Sequence, residues 1–535
     1  MKPRIAPGRV RTLVAASVCL LALAAPSIAR ADAFVPTDLL AAAKADGDRT
    51  FRVIVNGTRG TSARELEREQ LKDDRGRVVG SIKRSFRVID ALSVELTGDR
   101  LLRLAAKPGI ASITPDAPVS PASFSPVSLW PSVVGVDTLW GSTDPFTGSF
   151  TPGPQAPAIA IVDSGVHPGS VQDFGGRVVA NVNLSSGSQG APPVDRNGHG
   201  TLVAGFAAGS AASYPGAAPN ANIVSLQVVG EDGSALTSDV IAAADWIYEH
   251  GDAYGIRVAN FSLHSGRADY GFRDPLASAV RRLWLTGTVV VAAAGNEGPQ
   301  RMLYAPASDP FVITVGALGT NDTLDTDDDA NAPWSSHGYT AEGFAKPELA
   351  APGRHLVGPL APGSTIASSF ADRVVAPGYV WMSGTSFSAP IVAGAAAQLL
   401  ARHPEWTPDQ VKGALMMTAR PVPAADSMSA GVGEVDVDAA AAVTEPPNAN
   451  EPLYRFVSTD PATGEPSFDS AAFDAVASTD ATWVSATWVS ATWVSATWVS
   501  ATWVSSAYTD ATWVSATWVS SAPTDATWVS TNGIE

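Results

Sequence analysis

An aspartate, a histidine and a serine in this chain stand in surroundings that could support nucleophilic catalysis. Ser386 follows Gly384 and Thr385 and comes directly before a run of small and apolar residues that predicts a helix. A serine at the beginning of a helix lies near free backbone N–H groups and the positive end of the helix dipole, which favour an oxyanion. Taken alone, the same Gly-Thr-Ser stretch is typical of an ordinary serine helix cap.

The two other residues come earlier in the chain. Asp163 follows the apolar run 158–162, and His199 stands in the segment 197–201, Asn-Gly-His-Gly-Thr, which opens another small-residue helix. A serine hydroxyl is a weak nucleophile, so it needs a base within hydrogen-bond reach that a third group holds in one tautomer. In that scheme His199 takes the proton from Ser386 and later gives it to the leaving amine, while Asp163 orients and stabilises the imidazolium.

In these three segments and in their order the chain resembles the subtilisin-like serine proteases, the subtilase family. The resemblance covers about residues 126 to 440 and includes the Pro- and Gly-containing segments 214–221, 334–338 and 346–353. It implies a serine endopeptidase with polypeptide substrates, an acyl-enzyme intermediate and no cofactor required for the chemistry.

The resemblance also implies which groups bind the oxyanion and the substrate. Segment 293–298 follows a predicted buried strand and is similar to the family's oxyanion segment, so the side-chain amide of Asn296 would join the backbone N–H of Ser386 as a donor. Segment 260–263 is similar to the strand that pairs with an extended substrate, a binding mode that tolerates many sequences. The substrate-binding residues implied are Asn260, Ser262, Leu263, Ala293, Ala294 and Gly295.

Three positions depart from the pattern that is usual in the family. Leu202 stands where a histidine commonly follows His-Gly-Thr, and Phe387 stands where a methionine commonly follows the nucleophile. Both changes keep apolar packing. His264 stands where a glycine commonly follows the Ser-Leu pair, so we expect it to alter the shape of the substrate pocket.

The framework that must position these residues is predicted by continuous apolar runs that alternate with helical stretches. Strands are predicted at 158–162, 223–229, 258–263, 289–294 and 312–317, and helices at 238–249, 275–286, 385–402 and 407–418. This alternation predicts an α/β fold, with a subtilisin-like parallel sheet covered by helices on both faces. Ligands in such folds lie beyond the carboxyl ends of the strands, where Asp163 and Asn296 fall.

The region before this domain divides into two segments. Residues 1–33 are predicted to be a secretory signal, because basic residues precede an apolar run at 13–25 that is too short to span a bilayer comfortably. Residues 34–120 show the order β-α-β-β-α-β of a small ferredoxin-like α+β unit. Its place implies an inhibitor-like prodomain that acts as an intramolecular inhibitor and is then removed; an unrelated N-terminal domain is the alternative.

Composition also changes after the catalytic domain, which we assign to residues 121–443. Residues 444–480 are predicted to be a linker because they begin with a proline- and asparagine-rich stretch. Residues 481–535 form a tail with eight copies of Ala-Thr-Trp-Val-Ser. A sticky flexible tail and an adhesive β-rich segment both remain open for these repeats.

Charge and cysteine content indicate the compartment. The single cysteine, Cys19, lies in the predicted signal, so the mature protein would contain no disulfide and would depend on burial for stability. The net charge of −17 argues against a nucleic-acid or anionic-lipid partner and favours solubility outside the cell. We therefore expect a secreted protein with no transmembrane anchor after signal removal, with surface association through the repeats as a variant.

Metal binding stays open at this point. Asp322, Asp325 and the run 327–329 lie in one loop, and clustered carboxylates are ligands that Ca²⁺ favours. Acidic loops are also commonly just solvated, so structural calcium and a solvated loop are both retained. The sequence contains no cluster of Cys or His residues of the kind that would indicate a zinc site.

Two rival functions remain on the sequence. A catalytically inactive subtilase scaffold would keep the fold for binding, but Asp163, His199, Ser386 and Asn296 are all present. An adhesive surface protein would act through the tryptophan repeats and use its protease domain only for maturation.

Overall fold

The computed structural model describes residues 33–58, 60–72, 80–117, 128–146, 148–167, 171–188, 190–230, 233–266, 272–299, 304–426, 428–479, 483–484, 502–505 and 511–513. Nearly all of the predicted signal, the stretch 118–127 and most of the repeat tail lie outside these ranges. The chain forms two compact units: Met1–Pro121 with Thr143–Ser149, and Ala122–Ser142 with Phe150–Glu535. No helix among the described residues has the length and hydropathy that a membrane span requires.

The smaller unit is an antiparallel sheet with helices. Its elements are α1 (Thr37–Ala45), β1 (Thr50–Gly57), α2 (Ala63–Glu65), β2 (Ser81–Phe86), β3 (Ala91–Thr97), α3 (Gly98–Ala105) and β4 (Ile110–Pro115). The strand order is β2-β3-β1-β4, and every neighbouring pair is antiparallel. From β1 to β4 the chain order is the β-α-β-β-α-β order that the sequence predicts. A π-helical turn, Leu66–Gln70, continues α2.

The core of this smaller unit follows from the alternation of its strands. Phe51, Val53 and Val55 of β1 point to one face and are completely buried, because successive side chains of a strand point to opposite faces. The separate stretch 143–149 contributes Phe146, whose ring meets that of Phe51 edge-on with 5.5 Å between the ring centroids.

The larger unit is built on a mostly parallel sheet. Its strands are β7 (Ala158–Asp163), β8 (Val178–Asn183), β9 (Ile223–Gln227), β10 (Ile256–Phe261), β11 (Val289–Ala293), β12 (Ile313–Gly319), β13 (Ala330–Asn331) and β16 (Leu349–Pro352). The order is β13-β12-β11-β10-β7-β9-β8, with β16 also paired to β12. All pairs are parallel except that of β12 with the edge strand β13.

Helices and shorter elements complete the chain. The helices are α4 (Trp130–Val133), α5 (Val171–Phe174), α6 (His199–Ala208), α7 (Thr237–Tyr254), α8 (Pro275–Leu285), α9 (Thr365–Ser369), α10 (Thr385–Arg402), α11 (Pro408–Thr418), α12 (Val437–Ala441) and α13 (Ser470–Thr479). The 3₁₀ turns are Val136–Leu139, Ser186–Ser188, Thr326–Asp328, Ala371–Arg373 and Glu451–Phe456. The shorter strands are β5 (Gly141–Thr143), β6 (Phe150–Pro152), β14 (Gly338–Tyr339), β15 (Ala345–Lys346), β17 (Leu356–Pro359), β18 (Val374–Ala376), β19 (Tyr379–Met382), β20 (Val457–Thr459), β21 (Pro466–Phe468), β22 (Trp483–Val484), β23 (Thr502–Ser505) and β24 (Ala511–Trp513).

The predicted α/β fold is confirmed in this unit. Every residue of β7 is buried, which requires cover on both faces of the sheet and explains its continuous apolar sequence. The helix α10 is also buried along most of its length, because its small residues allow close approach to α6 and the sheet. At Gly394, for example, an added Cβ would lie 2.5 Å from the carbonyl oxygen of Ala207.

The structure corrects the prediction of a linker at 444–480. Residues 445–479 are folded, and Phe456 and Phe473 are buried in the main core. The ring of Phe473 lies 4.3 Å from that of Phe272, centroid to centroid. The buried carboxylate of Asp409 accepts hydrogen bonds from Nδ2 of Asn450 at 2.7 Å and from the hydroxyl of Tyr454. Widely spaced aromatic residues hold this segment, and they carry no helical or strand period that the sequence could reveal.

Candidate active site

Asp163 and His199 meet where a strand ends and a helix begins. Asp163 is the last residue of β7 and is almost completely buried, and His199 is the first residue of α6. Oδ1 of Asp163 lies 2.8 Å from Nδ1 of His199 and also accepts the backbone N–H of Ser164 at 2.7 Å. A carboxylate can only accept, so the proton between them belongs to Nδ1 of His199. Nε2 of the neutral ring is then left as the basic nitrogen.

A second buried carboxylate, Asp195, ties the two sides of this pair together. Its Oδ1 accepts the hydroxyl of Ser164 at 2.8 Å and the backbone N–H of Gly198 at 2.7 Å. Its Oδ2 accepts both the backbone N–H and the hydroxyl of Thr201, at 2.8 and 2.6 Å. Ser164 directly follows Asp163, whereas the other donors belong to the beginning of α6. Asp195 therefore fixes the loop after β7 to the N-terminus of that helix.

Charge near His199 outweighs its desolvation. Burial lowers the pKa of His199, but the charge of Asp163, the hydrogen bond to it and the charge of Asp195 together raise that pKa above its ordinary value. Burial also raises the pKa of Asp195, against its four hydrogen bonds, which favour the charged form. The arrangement can hold a proton on the imidazole more readily than an isolated histidine can.

Ser386 is the second residue of α10 and is partly exposed. Within the described residues its Oγ donates to the carbonyl oxygen of Ser262 at 3.3 Å, and no hydrogen bond joins it to His199. The next residue, Phe387, packs against His199 with 5.5 Å between ring centroids, so Ser386 and His199 belong to one cluster. Catalytic hydrogen bonds of free enzymes often tighten only when substrate binds.

Asn296 lies just past the end of β11 and is exposed. Its Oδ1 accepts the backbone N–H of Thr385 at 2.9 Å and the hydroxyl of Thr385 at 3.0 Å. The backbone N–H of Gly295 donates to the same hydroxyl at 3.1 Å. Because these donors occupy the amide oxygen, the NH₂ group of Asn296 remains available as a donor next to the beginning of α10.

The residues predicted to bind substrate lie at the carboxyl ends of β10 and β11 or just after them, and they are mostly buried. Asn260 is completely buried on β10, and its Nδ2 donates to Oγ of Ser262 at 2.9 Å. The side chain of Asn260 therefore supports Ser262 and is not exposed to a substrate. Leu263, which follows β10, is half-buried. Ala293 at the end of β11 and the next two residues, Ala294 and Gly295, are buried.

His264, which departs from the pattern that is usual in the family, is exposed. Its ring packs against that of Tyr304 with 5.2 Å between centroids, and its Nδ1 donates to the carbonyl of Ser265 at 2.8 Å. The backbone N–H of Ser265 in turn donates to the carbonyl of Ala305 at 2.7 Å. The loop after β10 and the loop that contains Tyr304 are thus held together beside the predicted substrate pocket.

Sequence reasoning missed three residues of this site. Asp195 carried one available signal, its place four residues before His199. Thr385 was recognised only as part of a motif, and nothing in its type indicates that it orients Asn296. Tyr304 gave no signal, since its contact with His264 depends on the fold of two separate loops.

Carboxylates of the acidic loop accept hydrogen bonds from groups of the loop itself. Oδ1 of Asp325 accepts the backbone N–H of Asp327 at 3.1 Å, and Oδ1 of Asp328 accepts the hydroxyl of Thr323 at 3.0 Å. Two of its carboxylates thus serve the loop's own turns, whereas Asp329 is completely buried. Over the described ranges no three His, Cys, Asp or Glu side chains are grouped so that they could hold a metal ion.

Residues 155–442 match the sequence model of the subtilase family. The chain is 39% identical over 264 residues to the serine protease AprX of Bacillus subtilis, covering 48% of this chain and 59% of that protein. It is 31% identical over 288 residues to subtilisin DY of Bacillus licheniformis, covering 53% of this chain and 90% of that protein. A crystal structure of a cold adapted subtilisin-like serine proteinase aligns with a TM-score of 0.41 and 29% identity, over 56% of this chain and 95% of that one. The chain spans 59% of the length of AprX, which is less than two thirds of that protein.

Proposed function

Because this chain belongs to the subtilase family, we propose that it is a secreted serine endopeptidase with Asp163, His199 and Ser386 as its catalytic triad. The observation that carries the proposal is the 2.8 Å hydrogen bond between the buried carboxylate of Asp163 and Nδ1 of His199. That bond leaves Nε2 as a base and stabilises the imidazolium after proton transfer.

The mechanism follows from these roles. Nε2 of His199 takes the proton of Ser386 as Oγ attacks the carbonyl carbon of the scissile peptide bond. The oxyanion of the tetrahedral intermediate is stabilised by the backbone N–H of Ser386, at the beginning of α10, and by the NH₂ group of Asn296. Collapse of the intermediate expels the amine, which takes the proton from His199. Water, deprotonated by the same histidine, then hydrolyses the acyl-enzyme.

Ser386→Ala and His199→Ala test this assignment directly. Each should lower peptide hydrolysis by several orders of magnitude, because members of a triad act as a unit. Covalent labelling by a fluorophosphonate should be found on Ser386 of the wild type and should be absent from the Ser386→Ala protein. Purified variants that keep hydrolysing peptides at the wild-type rate would exclude the triad.

We also propose that the smaller unit is a prodomain that the enzyme removes by cutting its own chain between about Asp116 and Val127, a stretch with the composition of an exposed linker. A compact unit with its own core supports a segment that folds and acts as one piece. Covalent attachment would make its binding to the cleft intramolecular, and hence favourable at high effective concentration. The Ser386→Ala protein should retain residues 34–120, and the freed prodomain should inhibit the wild type in trans. Full processing of that inactive variant in a protease-free host would show that another enzyme does the cutting.

A further inference from the structure

We infer that Ser262 is a positioning residue that holds the nucleophile in place, and that Pro390 is the reason it is needed. The inference rests on the proposed function, since it concerns how Ser386 is held for attack. It starts from the hydrogen bonds of the first turn of α10 (Thr385–Arg402), where Ser386 lies.

Pro390 leaves one carbonyl of this helix without its usual partner. In an α-helix the N–H of each residue donates to the carbonyl four residues earlier. The partner of the Ser386 carbonyl would therefore be the N–H of residue 390, which is a proline inside the helix and has no N–H. A buried carbonyl that lacks a donor is costly, so the fold must supply one from elsewhere.

Ser262 supplies that donor. Its Oγ donates to the carbonyl oxygen of Ser386 at 2.8 Å. The direction of this bond is set by Asn260, whose Nδ2 donates to the same Oγ at 2.9 Å. A hydroxyl has one hydrogen, and Asn260 occupies one of its acceptor positions, so that hydrogen is free to point at Ser386. Both side chains are buried, which keeps water from competing for the carbonyl.

The backbone carbonyl of Ser262 also accepts a hydrogen bond from the hydroxyl of Ser386. Oγ of Ser386 donates to the carbonyl oxygen of Ser262 at 3.3 Å, so the two residues are joined by a reciprocal pair of hydrogen bonds. Ser262 directly follows β10, whose last residue Phe261 pairs with Val162 of β7, the neighbour of Asp163. The strand pair that carries Asp163 therefore also fixes the position of Ser386.

Ser262 was implied as a substrate-binding residue, but its hydroxyl is buried and is bonded to Asn260 and to the Ser386 carbonyl, so its removal should act by displacing Ser386. The first turn of α10 would lose its anchor, and both Oγ and the backbone N–H of Ser386 would shift. A displacement of about 1 Å at a reacting group can cost about 10²-fold in rate. We therefore expect Ser262→Ala to lower kcat by roughly 30- to 100-fold, with a change in KM of less than about threefold.

The decisive experiment measures Ser262→Ala in two backgrounds, the wild type and Pro390→Ala, using the full-length enzyme and one peptide substrate. An alanine at 390 restores the N–H that bonds the Ser386 carbonyl, so the Ser262 hydroxyl should become dispensable. In that background the loss of kcat caused by Ser262→Ala should shrink to about threefold or less, because the two changes share one hydrogen-bond acceptor. If Ser262→Ala alone does not fold, adding Pro390→Ala should restore folding.

Ser225→Ala is the matched control. Ser225 is a completely buried serine on β9, and within the described residues its hydroxyl has no hydrogen-bond partner. The same chemical change there should leave kcat unaltered, and melting temperatures of all variants separate catalytic loss from unfolding.

Three results would overturn the inference: an equal loss of kcat in both backgrounds, a loss confined to KM, or a double variant that fails to fold as the single one does. A loss confined to KM would instead make Ser262 a substrate contact. A failure of the proposed function is seen separately, as a wild type that neither hydrolyses the peptide nor takes a fluorophosphonate at Ser386. An active, labelled wild type with additive variants would reject the inference alone.

Discussion

Oδ1 of Asn296 accepts two hydrogen bonds from one residue, the backbone N–H of Thr385 at 2.9 Å and its hydroxyl at 3.0 Å. Both groups are donors here, so they select the oxygen of the amide and turn its NH₂ group away from Thr385. An amide held in this way needs no reorganisation before it donates to a developing negative charge. Thr385, the residue before the proposed nucleophile, thus prepares the proposed oxyanion donor.

Replacing Asn296 with leucine should lower kcat by about 10²–10³ with little change in KM, the loss expected when one oxyanion donor is removed. Steady-state kinetics on a peptide substrate would measure both constants. Thr385→Val is the graded comparison: it keeps the backbone N–H but removes the hydroxyl, so we expect a smaller loss, about tenfold. An effect of Asn296→Leu on KM alone would make this residue a substrate contact.

The pH dependence of kcat/KM should report the carboxylates around His199. His199 must be neutral to act as a base, so activity rises as the pH rises through its pKa, which Asp163 and Asp195 raise. Asp195→Asn removes a negative charge that stabilises the imidazolium, so the pKa of His199 should fall. The acidic limb of the profile should then move to lower pH, by about 0.5 pH unit for a charge that is not in direct contact.

Asp173→Asn is the control for this pH experiment. Asp173 is also a buried carboxylate, it accepts the hydroxyl of Tyr379 at 2.8 Å, and burial raises its pKa. It does not contribute to the pKa of His199, so its variant should leave the acidic limb in place. If Asp195→Asn lowers kcat without moving that limb, Asp195 acts through structure and not through its charge.

The folded C-terminal segment predicts that two truncations will behave differently. A chain that ends after Thr479 keeps the buried rings of Phe456 and Phe473, whereas a chain that ends after Thr444 loses both. The shorter chain should melt at a clearly lower temperature, and Phe473→Ala alone should cost about 3–5 kcal/mol, as is usual for a large core side chain. Equal melting temperatures for the two truncations would contradict the core role of residues 445–479.

Sequence patterns predicted the parts of this molecule that are local. The strand that ends at Asp163 is a continuous apolar run, and the helix that begins at Thr385 is rich in small residues, so their composition identifies them. The motif around Ser386 was equally local. What the sequence could not predict are contacts set by the register of separate elements, such as the hydroxyl of Ser262 on the Ser386 carbonyl. The aromatic residues after 445 were missed for the same reason, because their partners come from distant parts of the chain.

The last prediction concerns Asp329 and Glu434. These two buried carboxyl groups are far apart in the sequence but interact in the fold. Both side chains are almost completely buried, and within the described residues neither oxygen of Asp329 nor Oε1 of Glu434 has a donor. Two carboxylates cannot bond to each other as anions, whereas a proton on one allows it to donate to the other. Burial, with the neighbouring negative charge, raises the pKa of Asp329 to about 6 and that of Glu434 to about 8, although Arg420 opposes both.

Because these folded-state pKa values lie above the unfolded ones, the pair stabilises the fold most when protonated, below about pH 4, and that stability is lost as the pH rises toward 8. The free energy of unfolding should fall across this range by several kcal/mol on account of the pair. Denaturant titrations in the Ser386→Ala background, which avoid self-digestion, would measure it. Asp329→Asn combined with Glu434→Gln removes both titrations, so the difference in stability between parent and variant should change with pH in that window. A difference that is constant from pH 4 to 8 would show that the two groups titrate normally.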